Sequence, residues 1–250
     1  MISLKSLQAP SLSRPLIFTI VADGGMGKTT LASLFPSPVF IRTEDGTASI
    51  ASREDVALFP LAQSVAEVME GIASLIQEEH EFKTLVLDSV TRFNIMVEAE
   101  VLASDPKAKG LNQALGGYGN AYDAVSKMHL ELRRACGYLA EAKGMNIVFL
   151  AHAGTETVDP PDGDPYTRFS IPMHKKSIPH YTNDVDVVAY IKQRFYTSGA
   201  EGKKKAISAG DERIITCYPT PSHVSKNRLG IKTDLAFVEG QNPFESFLRR

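Results

Sequence analysis

The chain begins as an alternation of short apolar runs with longer amphipathic segments. The apolar runs are rich in β-branched residues and predict buried parallel strands at Leu16–Ala22, Val39–Arg42, Thr84–Leu87 and Ile147–Ala151. Between these runs, apolar residues three and four positions apart predict helices at Thr29–Phe35, Gln63–His80 and Ala121–Lys143. The alternation predicts an α/β fold with a mainly parallel sheet covered by helices on both faces.

The pattern changes after residue 184, where strand-like segments follow one another with few helical signals. Val185–Tyr196 and Arg213–Tyr218 are predicted to form a C-terminal β-rich edge of the same sheet, with Lys203, Lys204 and Lys205 at a solvated hairpin tip. No segment has the composition of an interdomain linker. We therefore predict an N-terminal lead-in at residues 1–14 and a single domain at residues 15–250.

Composition narrows the classes of function. The 250 residues carry 27 Lys and Arg against 29 Asp and Glu, a net charge of −2, so nucleic-acid binding would need local basic patches. Only Cys136 and Cys217 are present, which excludes a disulfide framework and a four-cysteine zinc site. The apolar runs are far shorter than a membrane span. We predict a cytoplasmic protein with no membrane partner.

The first predicted strand leads into a sequence typical of a phosphate-binding loop. Residues 22–29, Ala-Asp-Gly-Gly-Met-Gly-Lys-Thr, fit this P-loop pattern except that its first glycine is Ala22. Glycines let backbone N–H groups converge on phosphate oxygens, and the helix that follows adds a partial positive charge. The sequence therefore predicts an ATP site with contacts from Asp23, Gly24, Gly25, Met26, Gly27, Lys28, Thr29 and Thr30.

Within this site, Lys28 is predicted to reach the β- and γ-phosphates. The Thr29 hydroxyl is predicted to ligate Mg²⁺, and Asp88, which ends the strand TLVLD, to hold the same ion through water. An alternative role for Asp88 is the N-cap of the helix that follows it.

Glu44 and His152 also follow predicted strands and should lie at the same edge of the sheet. Glu44 is a candidate to orient or deprotonate the water that attacks the γ-phosphate, and the adjacent Asp45 competes for this role. His152 is a candidate sensor that contacts the γ-phosphate and relays its presence to the following loop. The alternative for Glu44 is an acid in a solvated loop. The alternative for His152 is a strand-end histidine that hydrogen-bonds to the backbone.

Taken in order along the chain, these motifs resemble the RecA-like ATPase core over roughly residues 15–235. The similarity rests on the P-loop, Glu44 in IRTEDG, Asp88 in VLDSV, His152 at a strand end and the late Lys226-Asn227-Arg228. The chain is most similar to compact phage-encoded ATP-binding proteins that act as RecA-like single-strand annealing recombinases.

This resemblance implies an ATPase that binds single-stranded DNA, is stimulated by it, and promotes annealing or recombination in the host cytoplasm. Glu44 would be the catalytic glutamate, and His152 would stand where such proteins carry a polar sensor, often glutamine. Lys226 and Arg228 match the pair of cations that reaches the ATP of a neighbouring subunit. Self-association into a filament or ring is therefore implied, with a single-strand binding protein as a further partner.

Two long stretches, residues 104–120 and 154–183, carry no regular pattern and lie where RecA-like proteins place their DNA-binding loops. Cations there could neutralise phosphates, and aromatic rings could stack on unpaired bases. The alternative is an ordinary solvated loop. The DNA-contact candidates are Lys107, Lys109, Tyr118, Arg168, Lys175 and Lys176.

Three other functions share parts of this pattern. A hexameric helicase-type motor core would use the same residues. A partition ATPase of the ParA/MinD type has a similar GGxGKTT loop, but it carries a lysine where this chain has Asp23. A small-molecule phosphotransferase would need a basic lid, which Arg168 to Lys176 could supply.

Overall fold

The computed structural model describes residues 14–198 and 205–248 of the chain. The predicted lead-in therefore lies outside the described residues apart from Arg14, as do Lys203 and Lys204 of the predicted hairpin tip.

The described residues form one large sheet of nine strands and a separate two-stranded hairpin. The strands of the large sheet are β1 (Ile17–Ala22), β2 (Pro38–Arg42), β3 (Ala57–Leu61), β4 (Thr84–Asp88), β5 (Asn146–His152), β8 (Val187–Ser198), β9 (Lys205–Thr216), β10 (Lys226–Asn227) and β11 (Leu235–Phe237). The hairpin consists of β6 (Gly154–Val158) and β7 (Tyr166–Ser170).

The large sheet has the order β11-β9-β8-β1-β5-β4-β2-β3, with β10 paired to β8. All the pairings from β8 to β3 along this order are parallel, whereas β9, β10 and β11 pair antiparallel. The prediction of a mainly parallel sheet with a C-terminal β-rich edge is confirmed. Ala22 pairs with His152, and Asp88 with Arg42, so β1, β2, β4 and β5 end at one common carboxyl edge.

The helices of the described chain are α1 (Lys28–Ser33), α2 (Val65–Gln77), α3 (Val90–Ala103), α4 (Asn120–Lys143), α5 (Pro179–Thr182) and α6 (Glu245–Leu248). Ser64 caps α2 by accepting a hydrogen bond from the Glu67 N–H at 3.2 Å, and Gly144 ends α4 in the left-handed conformation. Within the described residues, no helix combines the length and apolar character needed to cross a membrane.

Side chains of β1 alternate between two hydrophobic cores, one on each face of the sheet. Ile17 and Val21 belong to the core beneath α2, α3 and α4, whereas Phe18 and Ile20 belong to the core on the side of α1. Because both faces are covered, the central strands are largely apolar, as their sequences predict.

Phe244 closes the second core from the C-terminal part of the chain. Its side chain is fully buried, with ring centroids 5.1 Å from Phe18 and 6.3 Å from Phe35. Nearby, the Asn242 amide donates to the Leu34 carbonyl at 3.2 Å. The last residues described are therefore part of the domain core.

β3 and the β6–β7 hairpin are among the elements that depart from the sequence-based expectation. β3 was not predicted because Ala57–Leu61 is an edge strand that contains Pro60 and pairs only with β2. Residues 154–183 were expected to be irregular but contain the β6–β7 hairpin. Its polar strands bury few apolar side chains, so they lack the hydrophobic alternation that marks a strand. Residues 104–119 have no helix or strand apart from a short 3₁₀ turn at Ala114–Gly116.

Candidate nucleotide-binding site

The predicted phosphate loop connects β1 to α1 at the carboxyl edge of the sheet. Gly25 and Gly27 have φ angles of 74° and 89°, which lie in the left-handed region that favours glycine. Gly27 immediately precedes α1, and its carbonyl accepts the Leu31 N–H at 2.9 Å. The loop thus turns the chain directly into a helix N-terminus, the local structure that the motif predicts.

Lys28 is buried at the base of this loop. Its ammonium group donates to the carbonyl oxygens of Ala22 at 2.9 Å and Asp23 at 3.0 Å. Burial lowers the pKa of Lys28, while the negative charges of Asp88, Glu44 and Asp23 oppose that shift. The ammonium group is therefore a buried cation at the base of the loop, with three carboxylates near enough to favour its charged form.

Thr29 and Asp88 lie side by side beneath the loop. The Thr29 hydroxyl donates to Asp88 Oδ2 at 2.8 Å, and Asp88 is 3% exposed. Burial raises the pKa of the Asp88 carboxyl group. The alternative role of helix cap belongs to Ser89, whose hydroxyl accepts the Arg92 N–H at 3.2 Å. Two adjacent oxygen donors of this kind suit Mg²⁺.

Glu44 and His152 are joined across the carboxyl edge. The His152 imidazole donates through Nε2 to Glu44 Oε1 at 2.9 Å. This hydrogen bond is the main reason why the pKa of Glu44 is lowered, and a further hydrogen bond from Ser89 acts in the same direction. The backbone N–H of His152 is fixed by the Thr91 hydroxyl at 2.9 Å.

Asp45, the competing acid, faces the same cavity as Glu44 but is largely exposed to solvent. Its side chain is 80% exposed, and its nearest cation is Arg42, with 3.9 Å between Nη1 and Oδ1. Glu44 is thus the acid that joins His152.

One cavity of about 510 Å³ collects most of the predicted site residues. Its lining includes Gly24, Gly25, Gly27, Lys28, Thr29, Thr30, Glu44, Asp88 and His152. Asp23 and Met26 contribute backbone carbonyls to side chains around the cavity instead of lining it. A larger hollow of about 710 Å³ lies away from these groups, between Leu34 and residues 240–248.

A family model described as an AAA domain matches residues 14–229 of the chain. The chain belongs to the AAA domain family. This assignment agrees with the α/β P-loop fold and makes the protein an ATPase of the AAA type. A search of curated proteins found no match.

Arg213 is a residue of this AAA domain that the sequence did not single out. It lies on β9 and reaches the same cavity from the antiparallel edge of the sheet. Its position depends on packing between distant segments, and an arginine before an apolar strand carries no local signal of such a role.

Lys226 and Arg228 lie away from the cavity. Lys226 donates to the carbonyls of Thr182 and Asn183, and Arg228 is 3.4 Å from the buried Asp186. The Asp186 N–H donates to the Ile17 carbonyl, so this group marks the amino end of β1, opposite the phosphate loop. Neither cation contacts the nucleotide-binding cavity of its own chain, and the trans-acting role remains a prediction.

The predicted DNA-contact residues lie in two places. Lys107, Lys109 and Tyr118 are exposed on the segment between α3 and α4. Arg168 pairs with Glu156 at 2.6 Å across the β6–β7 hairpin, and Lys176 pairs with Asp123 at 2.6 Å.

Lys175 is exposed and has no ion pair among the described residues. Together with Arg168 and Lys226 it lines a second cavity of about 350 Å³. The structure therefore brings two of the predicted DNA contacts together with a cation assigned to a different role.

Proposed function

We propose that this AAA domain binds ATP with Mg²⁺, hydrolyses ATP, and couples that cycle to single-stranded DNA as a RecA-like annealing or recombination protein. The observation that carries the proposal is the hydrogen bond between Glu44 and His152, two residues before the β6–β7 hairpin. This hydrogen bond supports the proposal because it links the proposed catalytic acid to a residue two positions before a proposed DNA-binding segment.

The phosphate end of ATP is assigned to the loop and to Lys28. In this proposal the ammonium group exchanges its contacts with Ala22 and Asp23 for oxygens of the β- and γ-phosphates, which are stronger acceptors than neutral carbonyls. Thr29 and Asp88 would hold Mg²⁺, which supplies charge neutralisation at the phosphates when bound.

Glu44 is assigned to the attacking water. Because its pKa is lowered, the carboxylate is ionised at neutral pH and can accept a hydrogen bond from water. His152 holds that carboxylate in place. A γ-phosphate that competes for the imidazole N–H would loosen the contact with Glu44 and so signal nucleotide state to the hairpin.

Single-stranded DNA is assigned to the surface formed by the β6–β7 hairpin and residues 174–183. In the cavity of about 350 Å³ beside the hairpin, Arg168 and Lys175 set two cations against one acid, Glu156. The fully exposed ring of Tyr118 offers a stacking surface on the second segment, beside Lys107 and Lys109. The composition of these surfaces suits a phosphate backbone with unpaired bases better than a compact acceptor.

Self-association is proposed through Arg228. Its side chain is 51% exposed although it contacts Asp186, so part of the guanidinium faces outward from the chain. A neighbouring subunit could present its nucleotide to that face, with Lys226 beside it. This arrangement would place a cation on the transferring phosphoryl group in trans.

The test is ATP hydrolysis with and without single-stranded DNA for the wild type, Lys28→Ala, Glu44→Gln and Arg228→Ala. We expect Lys28→Ala to lose nucleotide binding and Glu44→Gln to bind ATP without turnover. Mixing Glu44→Gln with Arg228→Ala should restore hydrolysis, because each subunit supplies the group that its neighbour lacks.

The results separate the parts of the proposal. A wild type that binds no nucleotide would refute it altogether. Hydrolysis unaffected by single-stranded DNA would remove the DNA function, and failure of the mixed subunits to recover activity would remove the trans role of Arg228.

A further inference from the structure

Arg213 is held against the outer side of the phosphate loop. Its Nη1 donates to the Met26 carbonyl at 3.3 Å, and its guanidinium carbon lies 4.5 Å from the centroid of the Phe237 ring. Register pairs Arg213 with Phe237 of β11 and with Gln193 of β8. Three strands therefore fix the side chain beside the nucleotide-binding cavity.

The approach to the loop is close enough to constrain Gly27. A Cβ atom at Gly27 would lie 2.5 Å from Arg213 Nη1 and 2.8 Å from Phe237 Cε1, both shorter than real contacts. The φ angle of 89° at Gly27 disfavours a side chain as well. The contact between β9 and the phosphate loop is therefore tightly packed.

The charge of Arg213 is not matched by an acid. Among the described residues no Asp or Glu forms an ion pair with it, whereas Arg194 on the neighbouring strand pairs with Glu212 at 3.3 Å. A guanidinium carries five N–H donors, and the hydrogen bond that Arg213 makes to another described residue goes to a neutral carbonyl. Arg213 also lines the cavity of Lys28, Asp88 and Glu44, where the phosphate groups are proposed to bind.

We propose that Arg213 is a nucleotide-binding residue that acts in cis, donating hydrogen bonds to the phosphate groups of the bound nucleotide. The inference rests on the proposed ATP binding and adds a second cation to Lys28 within the same subunit. Guanidinium groups suit phosphate because they donate in a planar fork. The C-terminal β-rich edge would then complete the phosphate site from the side opposite Glu44 and Asp45.

The test compares Arg213→Met with Arg194→Met in equilibrium binding of ATP and ADP. Methionine keeps an apolar stem against Phe237 and removes the donors, and Arg194 is a matched control because it does not line the cavity. We expect Arg213→Met to weaken binding of both nucleotides about tenfold, the size of one charge-assisted hydrogen bond. Arg194→Met should bind like the wild type. Arg213→Lys should fall between the wild type and Arg213→Met.

Salt dependence separates a direct phosphate contact from a role in shaping the loop. Loss of a charge contact should make the dissociation constant of ATP less sensitive to added salt in Arg213→Met. An unchanged salt dependence, or unchanged affinity, would overturn the inference. If the wild type binds no nucleotide, the proposed function itself fails. Suppose instead that the wild type binds nucleotide, Lys28→Ala does not, and Arg213→Met binds as tightly as the wild type. In that case only the proposed role of Arg213 fails.

Discussion

The two charged regions of this AAA domain are built in opposite ways. At the phosphate loop, Lys28 and Asp88 are buried and held by neighbours within 3.0 Å. The outer basic region consists of the β6–β7 hairpin and residues 174–183. There the side chains of the Arg168–Glu156 pair are about one third exposed, as is the Lys176 side chain of the pair with Asp123. The first region is fixed by the strands that end there, whereas the second consists of surface ion pairs that other charges can replace.

This difference has an energetic meaning. Burying Asp88 raises its pKa, so the ionised carboxylate is disfavoured until a cation joins it. Surface ion pairs contribute little to stability, and an incoming phosphate can displace their acids at small cost. A buried charge with a shifted pKa is typical of a catalytic centre, while exchangeable pairs suit a partner that binds and leaves.

The largest expected effect concerns the buried side of this comparison. Asp88→Asn keeps an acceptor for the Thr29 hydroxyl but cannot hold Mg²⁺ as a charge, so ATP hydrolysis should fall by about 10²-fold or more. Because the variant removes a buried charge, its melting temperature without nucleotide should equal or exceed that of the wild type. Single-turnover hydrolysis and thermal unfolding measure the two effects. Hydrolysis near the wild-type rate would contradict the assignment of Asp88.

A second prediction concerns the pH dependence of stability that a buried histidine of α4 should cause. His129 of α4 is buried between the Asn94 amide oxygen at 3.0 Å and the Tyr181 hydroxyl at 2.7 Å, next to the outer segment 174–183. Burial lowers its pKa from 6.5 to about 3, so the unfolded chain binds the proton more readily. Stability should therefore fall as pH drops below 6.5, losing about 2 kcal/mol, or about 30-fold in the folding equilibrium, by pH 5.

Denaturant unfolding of the wild type and His129→Gln at several pH values tests whether His129 causes this loss of stability. Since burial also lowers the pKa of His223, to about 4, the wild type and the variant should both lose stability on acidification, the variant less. Equal losses in the two proteins would show that His129 does not supply the effect.

A smaller effect is expected at Glu44, the proposed catalytic acid. His152→Ala removes the hydrogen bond that chiefly lowers the pKa of Glu44, so that pKa should rise and the acidic limb of the hydrolysis pH profile should move to higher pH. We expect about tenfold slower hydrolysis at neutral pH, less than the roughly 10²–10⁴-fold of a lost general base, because Glu44 itself remains. His152→Gln keeps a donor and should restore the limb. A pH profile identical in all three proteins would show that His152 does not influence the pKa of Glu44.

The smallest effect is expected on the outer region. Glu156→Gln frees Arg168 from its ion pair and should tighten single-stranded DNA binding about threefold at low salt, with a steeper salt dependence. Glu212→Gln makes the same charge change on another strand and serves as the control. Equal tightening in both variants would indicate a general charge effect and not a contact at Arg168.

The parts of the fold and of the candidate site that depend on local sequence patterns could be predicted. Thr29 and Asp88 were predictable because a P-loop and a strand-end acid have short, specific patterns, and β1, β2, β4 and β5 were predictable because buried parallel strands are apolar throughout. The edge strand β3 and the polar β6–β7 hairpin lacked that signal.

Contacts between distant segments could not be predicted. Glu44 and His152 were both candidates, but nothing local indicated that they would hydrogen-bond, since they follow β2 and β5 with β4 between them. Arg213 depends in the same way on how β9 packs against the loop. The trans role of Lys226 and Arg228 and the DNA contacts remain predictions.

Phe244 has a practical consequence for anyone who shortens the chain. The family match ends at residue 229, yet the Phe244 ring packs against both Phe18 and Phe35, and Phe237 contacts Arg213 from beyond the same limit. A fragment that ends at residue 229 would lack these rings, expose apolar surface and be prone to aggregation during purification. Expression clones should therefore run at least through Leu248.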